Sequence, residues 1–136
     1  MIWMFDTDIL IYFINLKPGY ERIARRMSGR SPGELRLSAI TLSEVHFGVE
    51  NGEFRDENKG ALNDVLNLFQ ADDFPCDASE DFGEIKATLL AKGKTIGAYD
   101  LLIAAHARRT GATLVTNNER EFRRVPGLSV ENWLKP

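Results

Sequence analysis

Cysteine occurs only once in this chain of 136 residues, at Cys76. A single cysteine excludes an intramolecular disulfide and is typical of proteins from a reducing compartment. No apolar run approaches the ~18 residues that a membrane span requires. The apolar start of the chain, Ile2 to Phe5, is unlike a signal peptide because it lacks basic residues before it and is interrupted at Asp6 and Asp8. We therefore expect a cytoplasmic protein that does not enter a membrane.

An excess of positive charge is also missing. The 17 Lys and Arg side chains are outnumbered by 20 Asp and Glu side chains, and the formal net charge is −3 at pH 7. The chain as a whole therefore lacks the basic field of many nucleic-acid-binding proteins. Local arginine clusters are present, and each is equally consistent with a partner-binding face or a solvated helix face: Arg25, Arg26 and Arg30 early, and Arg108, Arg109, Arg120, Arg123 and Arg124 late.

The spacing of apolar residues predicts the fold. With 43% hydrophobic residues and no linker or repeat, the chain is expected to form a single domain over residues 1–136. Predicted strands alternate with predicted helices, which indicates an α/β fold whose parallel sheet is covered by helices on both faces. The strands are predicted at residues 2–5, 35–38, 74–76, 113–116 and 128–130, and the helices at 9–14, 20–27, 41–50, 58–69, 79–91 and 99–109, with a short turn at 118–122.

Three acidic residues lie in apolar surroundings: Asp6, Glu44 and Asp100. Buried carboxylates are costly unless they are paired, hydrogen-bonded or bound to metal. Asp6 follows the first predicted strand, where open α/β sheets place their ligands. The predicted order of elements places the other two acids near the same edge of the sheet. The set therefore predicts a functional site at that edge.

Each acid also has a purely structural interpretation. Asp6 can cap the helix that follows it. Glu44 fits a capping box with Thr41, in the pattern Thr-x-x-Glu. Asp100 suits the first turn of a helix, although its neighbours Ile103 and Ala104 place it on the core side. If the three acids do converge, their oxygen ligands favour Mg²⁺ or Mn²⁺ over zinc, and such ions suit the hydrolysis of phosphodiester bonds.

Four segments occur in the order and spacing of a PIN domain. They are residues 5–8 (Phe-Asp-Thr-Asp), 41–48 (Thr-Leu-Ser-Glu-Val-His-Phe-Gly), 96–107 and 114–122. More closely, the chain resembles the VapC toxins of bacterial VapBC toxin–antitoxin systems, including the ending at residues 125–133. The resemblance covers nearly the whole chain. It implies a PIN-like α/β fold with a short, mostly parallel central sheet flanked by helices on both faces.

The resemblance also implies an activity and its partners. It implies a Mg²⁺- or Mn²⁺-dependent endoribonuclease, the toxin of a type II system, that is neutralised by a VapB antitoxin. The segment Thr-Asn-Asn and the segment Arg-Glu-Phe resemble toxins that cut tRNA. A homodimer is expected, and contact with DNA is expected only through the antitoxin.

Site residues are carried over position by position. Asp6, Glu44 and Asp100 match the family's acidic triad, and Asn118 stands where a fourth acid is frequent. Asn118 keeps an oxygen ligand without the charge, and Glu121, one helical turn on, is expected to supply the missing carboxylate. Asp8 stands where an Asn is common. The expected catalytic residues are thus Asp6, Glu44, Asp100 and Glu121, the metal ligands Asp6, Glu44, Asp100 and Asn118, and the RNA-contacting residues Thr7, Thr116, Arg120, Arg123 and Arg124. Alternatively, Arg120 pairs with Glu119 or Glu131 and only solubilises the rim.

Two other functions fit parts of the pattern. Asp6-Thr7-Asp8 resembles the first motif of haloacid-dehalogenase-like phosphatases, Asp-x-Asp-x-Thr, with Asp6 as the nucleophile. Here Leu10 replaces the Thr, and no Asp-Asp pair follows Thr116. The second alternative is a PIN-like interaction module whose site has decayed at Asn118. A phosphorylated aspartate would indicate the first alternative, and metal binding without hydrolysis would indicate the second.

Overall fold

A parallel five-stranded sheet forms the centre of the computed structural model, which describes residues 1–52 and 59–136. The strands are β1 (Trp3–Phe5), β2 (Leu35–Ser38), β3 (Gln70–Asp72), β4 (Thr113–Val115) and β5 (Val130–Glu131). They run in the order β3-β2-β1-β4-β5, and every neighbouring pair is parallel. This confirms the predicted PIN-like architecture.

Helices cover both faces of the sheet, because successive side chains of a strand point to opposite sides. Trp3 and Phe5 pack into one apolar core, and Met4 between them packs into the other. In the described part of the chain the helices are α1 (Thr7–Ile14), α2 (Tyr20–Met27), α3 (Ala39–Glu50), α4 (Lys59–Leu66), α5 (Ala78–Ala91), α6 (Ala98–Thr110) and α7 (Glu119–Phe122). The first core includes residues of α1, α2 and α4, and the second includes residues of α5, α6 and α7. The predicted helix start at residue 58 lies outside the described residues.

The predicted strand at residues 74–76 is wrong. The strand β3 lies four residues earlier, where Gln70 pairs with Arg36 of β2. The strand could not be predicted from apolar runs because its residues are mostly polar. It is stabilised by an ion pair of 2.9 Å between Arg36 and Asp72 rather than by apolar side chains. Phe74 packs edge-on against the ring of His106, with ring centroids 5.6 Å apart. The apolar residue that suggested a strand is therefore a loop residue packed on α6.

Several element boundaries also differ from the prediction: α1 begins at Thr7 rather than residue 9, and α4 ends at Leu66 rather than residue 69. The helix α3 begins at Ala39, two residues before the predicted start, because the Ser38 hydroxyl accepts a hydrogen bond from the Ile40 amide at 3.1 Å and caps it. The last strand lies at Val130–Glu131 rather than 128–130. Val130 pairs with Leu114 of β4.

The pairing of β1 with β4 positions the residues that follow both strands. Phe5 is in register with Val115, and the Asp6 amide donates to the Val115 carbonyl oxygen at 3.0 Å. Asp6 and Thr116 therefore leave the sheet side by side at its carboxyl edge. Across residues 1–52 and 59–136, no helix combines the length and apolarity needed to cross a membrane.

Candidate active site at the carboxyl edge of the sheet

Asp6 is both a helix cap and the most buried acid of the site. Its side chain is at the N-terminus of α1, where Oδ1 accepts from the Ile9 amide at 2.9 Å. Its Oδ2 accepts from the Thr116 hydroxyl at 2.5 Å. The predicted cap is thus confirmed, but it does not exclude a second role, since each carboxylate oxygen has two lone pairs.

Burial determines the ionisation of Asp6. The residue is 2% exposed, and loss of solvation raises its pKa to about 7, although the hydrogen bonds from Thr116 and Ile9 act to lower that pKa. The nearby carboxylates of Asp8 and Asp100 raise it further. Without a cation, Asp6 is therefore partly protonated at neutral pH. A carboxyl held so close to neutral pH is typical of functional sites.

Glu44 points from the second turn of α3 toward the start of α1. Its Oε1 accepts from the Thr7 hydroxyl at 2.5 Å. The capping box with Thr41 is wrong, because Ser38 caps α3 and Thr41 is already the third helical residue. Burial raises the pKa of Glu44, and Asp8 adds to this effect. Thr7 therefore orients Glu44 as Thr116 orients Asp6.

Asp100 occupies the first turn of α6 and completes the set of three acids. Its pKa is raised to about 6, first by burial and then by the charges of Asp8, Glu44 and Glu121. This mutual repulsion means that the acids from α1, α3, α6 and α7 face a common space. The structure thus brings together the acids that the sequence predicted.

Asp8 was left out of the predicted site, yet it affects all three acids. Its charge raises the pKa of Asp6, Glu44 and Asp100. In the sequence it looks like an ordinary acid in the first turn of a helix, and it is exposed. The spacing of Asp8 from Asp6 could have indicated this role, because residues two positions apart at a strand-to-helix junction both face the carboxyl edge of the sheet.

Asn118 and Glu121 lie next to each other at the start of α7. The Asn118 side-chain amide donates to Glu121 Oε2 at 2.8 Å, and its backbone amide donates to the Thr116 hydroxyl at 2.9 Å. Thr116 thus connects this loop to Asp6. The amide nitrogen of Asn118 faces Glu121, which leaves the amide oxygen as its only candidate ligand atom.

The donor set fits a hard divalent cation bound largely through water. All the converging ligand atoms are oxygens, and their repulsion would be relieved by a cation. Within residues 1–52 and 59–136, no three His, Cys, Asp or Glu side chains lie close enough together to hold a metal ion by direct contact alone. Open acid sites of this type suit Mg²⁺, which keeps several of its waters when bound.

A groove runs beside the acids. Its volume is about 410 Å³, and its lining includes both acids and aromatic rings. The rings of Phe47 and Tyr99 are 64% and 62% exposed. The groove is lined by Thr7, Asp8, Ile11, Ser43, Glu44, Phe47 and Tyr99.

The predicted basic residues in α7 and directly after it differ in their surroundings. Arg120 is exposed and, in the part of the chain that the structure describes, forms no ion pair. Arg123 pairs with Glu119 at 3.3 Å, and Arg124 is half-buried. Glu119 also pairs with Lys135, and Glu131 with Arg26. The alternative pairing of Arg120 with either glutamate is therefore wrong.

Comparisons with known proteins agree with this geometry. The sequence model of the PIN-domain family matches residues 3–128 of this chain. The chain is 40% identical to ribonuclease VapC2 of Haemophilus influenzae over 97% of its length and 98% of that protein. It is 34% identical to the tRNA(fMet)-specific endonuclease VapC of Shigella flexneri, over 96% and 97% of the two lengths.

Solved structures show the same relationship. The crystal structure of VapBC2 from Rickettsia felis bound to a promoter DNA fragment superposes with a TM-score of 0.86 at 37% identity, over 98% of this chain and 99% of that one. VapBC-1 from nontypeable Haemophilus influenzae superposes with a TM-score of 0.85 at 31% identity, over 99% of this chain and 100% of that one. With its acids at the carboxyl edge of a PIN sheet, this chain belongs to the VapC group of the PIN-domain family.

Proposed function

We propose that this chain is the toxin of a type II toxin–antitoxin pair and that it acts, as one domain over residues 1–136, as a Mg²⁺- or Mn²⁺-dependent endoribonuclease. The observation that carries the proposal is the convergence of Asp6, Glu44 and Asp100, with the pKa of each carboxyl raised. Relatives of nearly equal length are named as ribonucleases or tRNA endonucleases. Membership of the PIN family disfavours the phosphatase alternative.

Each residue of the site has a role in this proposal. Asp6, Glu44 and Asp100 would hold the cation, with Asn118 as a further oxygen ligand and Glu121 as the additional carboxylate. When bound, the cation supplies an activated water and neutralises charge on the reacting phosphate. Thr116 and Thr7 hold Asp6 and Glu44 by hydrogen bonds.

The partners follow from the relatives. Solved structures of VapC relatives are complexes with their antitoxins, some of them on DNA. We infer that a VapB-like antitoxin neutralises this chain and provides any contact with DNA. The substrate is RNA, and we propose tRNA. Contacts of RNA with Thr7, Thr116, Arg120, Arg123 and Arg124 stay predictions, as does the homodimer.

Cleavage of tRNA by the purified chain tests the function. We expect cleavage at one or a few sites with Mg²⁺ or Mn²⁺, no cleavage in EDTA, and inhibition by the protein that copurifies from the adjacent gene. Sequencing of the cleaved RNA ends identifies the bond. Metal binding without any cleavage would favour the interaction-module alternative, and a phosphorylated Asp6 would favour the phosphatase.

The variant Thr116→Val tests the positioning of Asp6. The buried Thr116 hydroxyl stabilises the charged form of Asp6, so its loss should raise the pKa of Asp6 and move the acid limb of the kcat/KM profile to higher pH. We expect roughly a tenfold loss at pH 6.5 and a smaller loss at pH 8.5. Thr113→Val, a buried threonine at the start of β4, is the matched control. An acid limb that does not move would contradict this role.

A further inference from the structure

We propose that α2 and the C-terminal segment form a second phosphate-binding surface, which holds the RNA substrate away from the bond that is cut. We call it the α2 basic surface. This inference rests on the proposed ribonuclease function. It consists of the side chains of Arg22, Arg25, Arg26, Arg30 and Lys135.

The surface has the shape of an open depression. Its volume is about 390 Å³, and its lining is formed by Arg22, Arg25, Arg26, Trp133, Lys135 and Pro136. On the opposite side of α2, Ile23 and Met27 are buried in the core. Arg22 and Arg26 are one helical turn apart, roughly 6 Å along the axis. The helix therefore presents a row of cations to solvent.

Tryptophan rings hold two of the guanidinium groups in place. The guanidinium carbon of Arg30 lies 4.1 Å from the centroid of the Trp3 ring, and that of Arg26 lies 5.9 Å from the centroid of the Trp133 ring. Arg22 Nη1 donates to the Leu134 carbonyl oxygen at 2.8 Å. Side chains fixed in this way lose little conformational freedom when they bind a phosphate.

Positive charge on the surface exceeds the local negative charge. Two acids pair with these cations: Glu119 with Lys135, and Glu131 with Arg26. Glu131 also accepts from the indoles of Trp3 at 3.3 Å and Trp133 at 3.0 Å. Arg26 lies 3.5 Å from it. Within the described ranges, Arg25 takes part in no ion pair, although Glu21 lies one turn before it. A cluster of cations in a chain with a net charge of −3 is expected to have an anionic partner.

The α2 basic surface is connected to the candidate active site. Asn132 Nδ2 donates to Asn117 Oδ1 at 3.2 Å, and Lys135 pairs with Glu119, the first residue of α7. The segment 117–119 directly follows Thr116, whose hydroxyl donates to Asp6. The C-terminal segment thus packs against the loop that carries part of the site. A polyanion in the acidic groove can continue over α7 onto α2.

The spacing of the cations favours a long polyanion over a small one. A single phosphate ion can contact one or two of these exposed side chains, whereas an RNA strand has one phosphate per nucleotide and can contact them all. Neutralised phosphates release counterions, and this release supplies most of the sequence-independent affinity. The surface therefore contributes to substrate affinity and not to the chemical step.

Salt-dependent binding of full-length tRNA tests the inference. We compare Arg25→Ala/Arg26→Ala with Lys86→Ala/Lys92→Ala, which removes the same charge from exposed residues on α5 and at its C-terminal cap. Binding is measured in the Asp100→Asn background so that the RNA stays intact. The slope of log Kd against log salt should decrease by roughly one to two in the α2 variant only. For cleavage in the active background, KM should rise about tenfold with kcat within about twofold.

A short oligoribonucleotide that spans the cut site provides the second comparison. It should be cleaved equally by the parent and the α2 variant, because it is too short to reach α2. An unchanged slope in the α2 variant and in Arg25→Glu overturns the inference. If the α2 variant loses antitoxin binding while the salt slope is unchanged, the surface binds a protein rather than RNA, and the inference is also overturned. If the parent cleaves no RNA, the proposed function fails and this inference fails with it.

Discussion

Replacing Asp100 by Asn should reduce kcat/KM for RNA cleavage by roughly 100-fold or more, since changes even to groups that only orient metal ligands cost 10- to 100-fold. The substitution keeps the shape of the side chain and removes one negative charge. Asp100 has a pKa of about 6 because it is partly buried and faces Asp8, Glu44 and Glu121. That shared charge is what a divalent cation would neutralise, so affinity for Mg²⁺ should fall together with activity.

Calorimetric titration with Mg²⁺ and thermal unfolding separate loss of the site from loss of the fold. In EDTA the Tm of Asp100→Asn should equal or exceed that of the parent, because the variant relieves repulsion between carboxylates. Asp73→Asn, an exposed acid in the loop after β3, is the matched control and should leave activity unchanged. Parental cleavage by folded Asp100→Asn would rule out the metal site proposed here.

The acids could be predicted from the sequence because their positions follow from the order of strands and helices. Asp6 directly follows a buried strand, and Asp100 lies in the first turn of an apolar helix. Parallel strands place such positions at one edge whatever the details of packing. The same logic could not find β3, which is stabilised by the ion pair between Arg36 and Asp72 rather than by apolar residues.

The supporting contacts could not be predicted, because they depend on side chains that are distant in sequence. Thr116 is 110 residues from Asp6, and Glu44 is 37 residues from Thr7. Threonine at either position has no pattern that distinguishes a hydroxyl bonded to a carboxylate from an ordinary buried one. The sequence likewise identified Arg25, Arg26 and Arg30 as a cluster but did not show that the C-terminal segment packs beside them.

Acidic and basic groups are distributed unequally at the edge that would bind RNA. The site at the end of β1 and β4 concentrates acids, whereas α2 and the C-terminal segment carry the cations. Without a cation the acids would repel the phosphates of a substrate. Metal binding and substrate binding should therefore be coupled, with Mg²⁺ increasing RNA affinity even where no bond is cut.

Replacing Asp6 by Asn should stabilise the metal-free protein at pH 8 by up to roughly 4 kcal/mol, the free energy of a shift of about three pKa units. The pKa of Asp6 is about 7 in the folded chain, against 3.8 as its ordinary value. A carboxyl whose pKa is raised by folding contributes its full stability below pH 3.8 and loses that contribution as the pH rises through 7. Asn stays neutral throughout and avoids this loss.

The difference in unfolding free energy between Asp6→Asn and the parent should therefore depend on pH in a defined direction. Urea unfolding in EDTA should give a small advantage for the variant, about 1 kcal/mol, at pH 4.5, and an advantage that grows up to pH 8. Acids that do not interact with Asp6 contribute equally to both proteins, so the difference reports Asp6 together with its coupling to Asp8 and Asp100. Mg²⁺ at 100 times its Kd for the parent should reduce this advantage at pH 8 by up to about 2.7 kcal/mol, because the cation binds more tightly to the protein that retains the carboxylate. A difference that does not change between pH 4.5 and pH 8, as expected for the exposed control Asp73→Asn, would show that burial does not raise the pKa of Asp6.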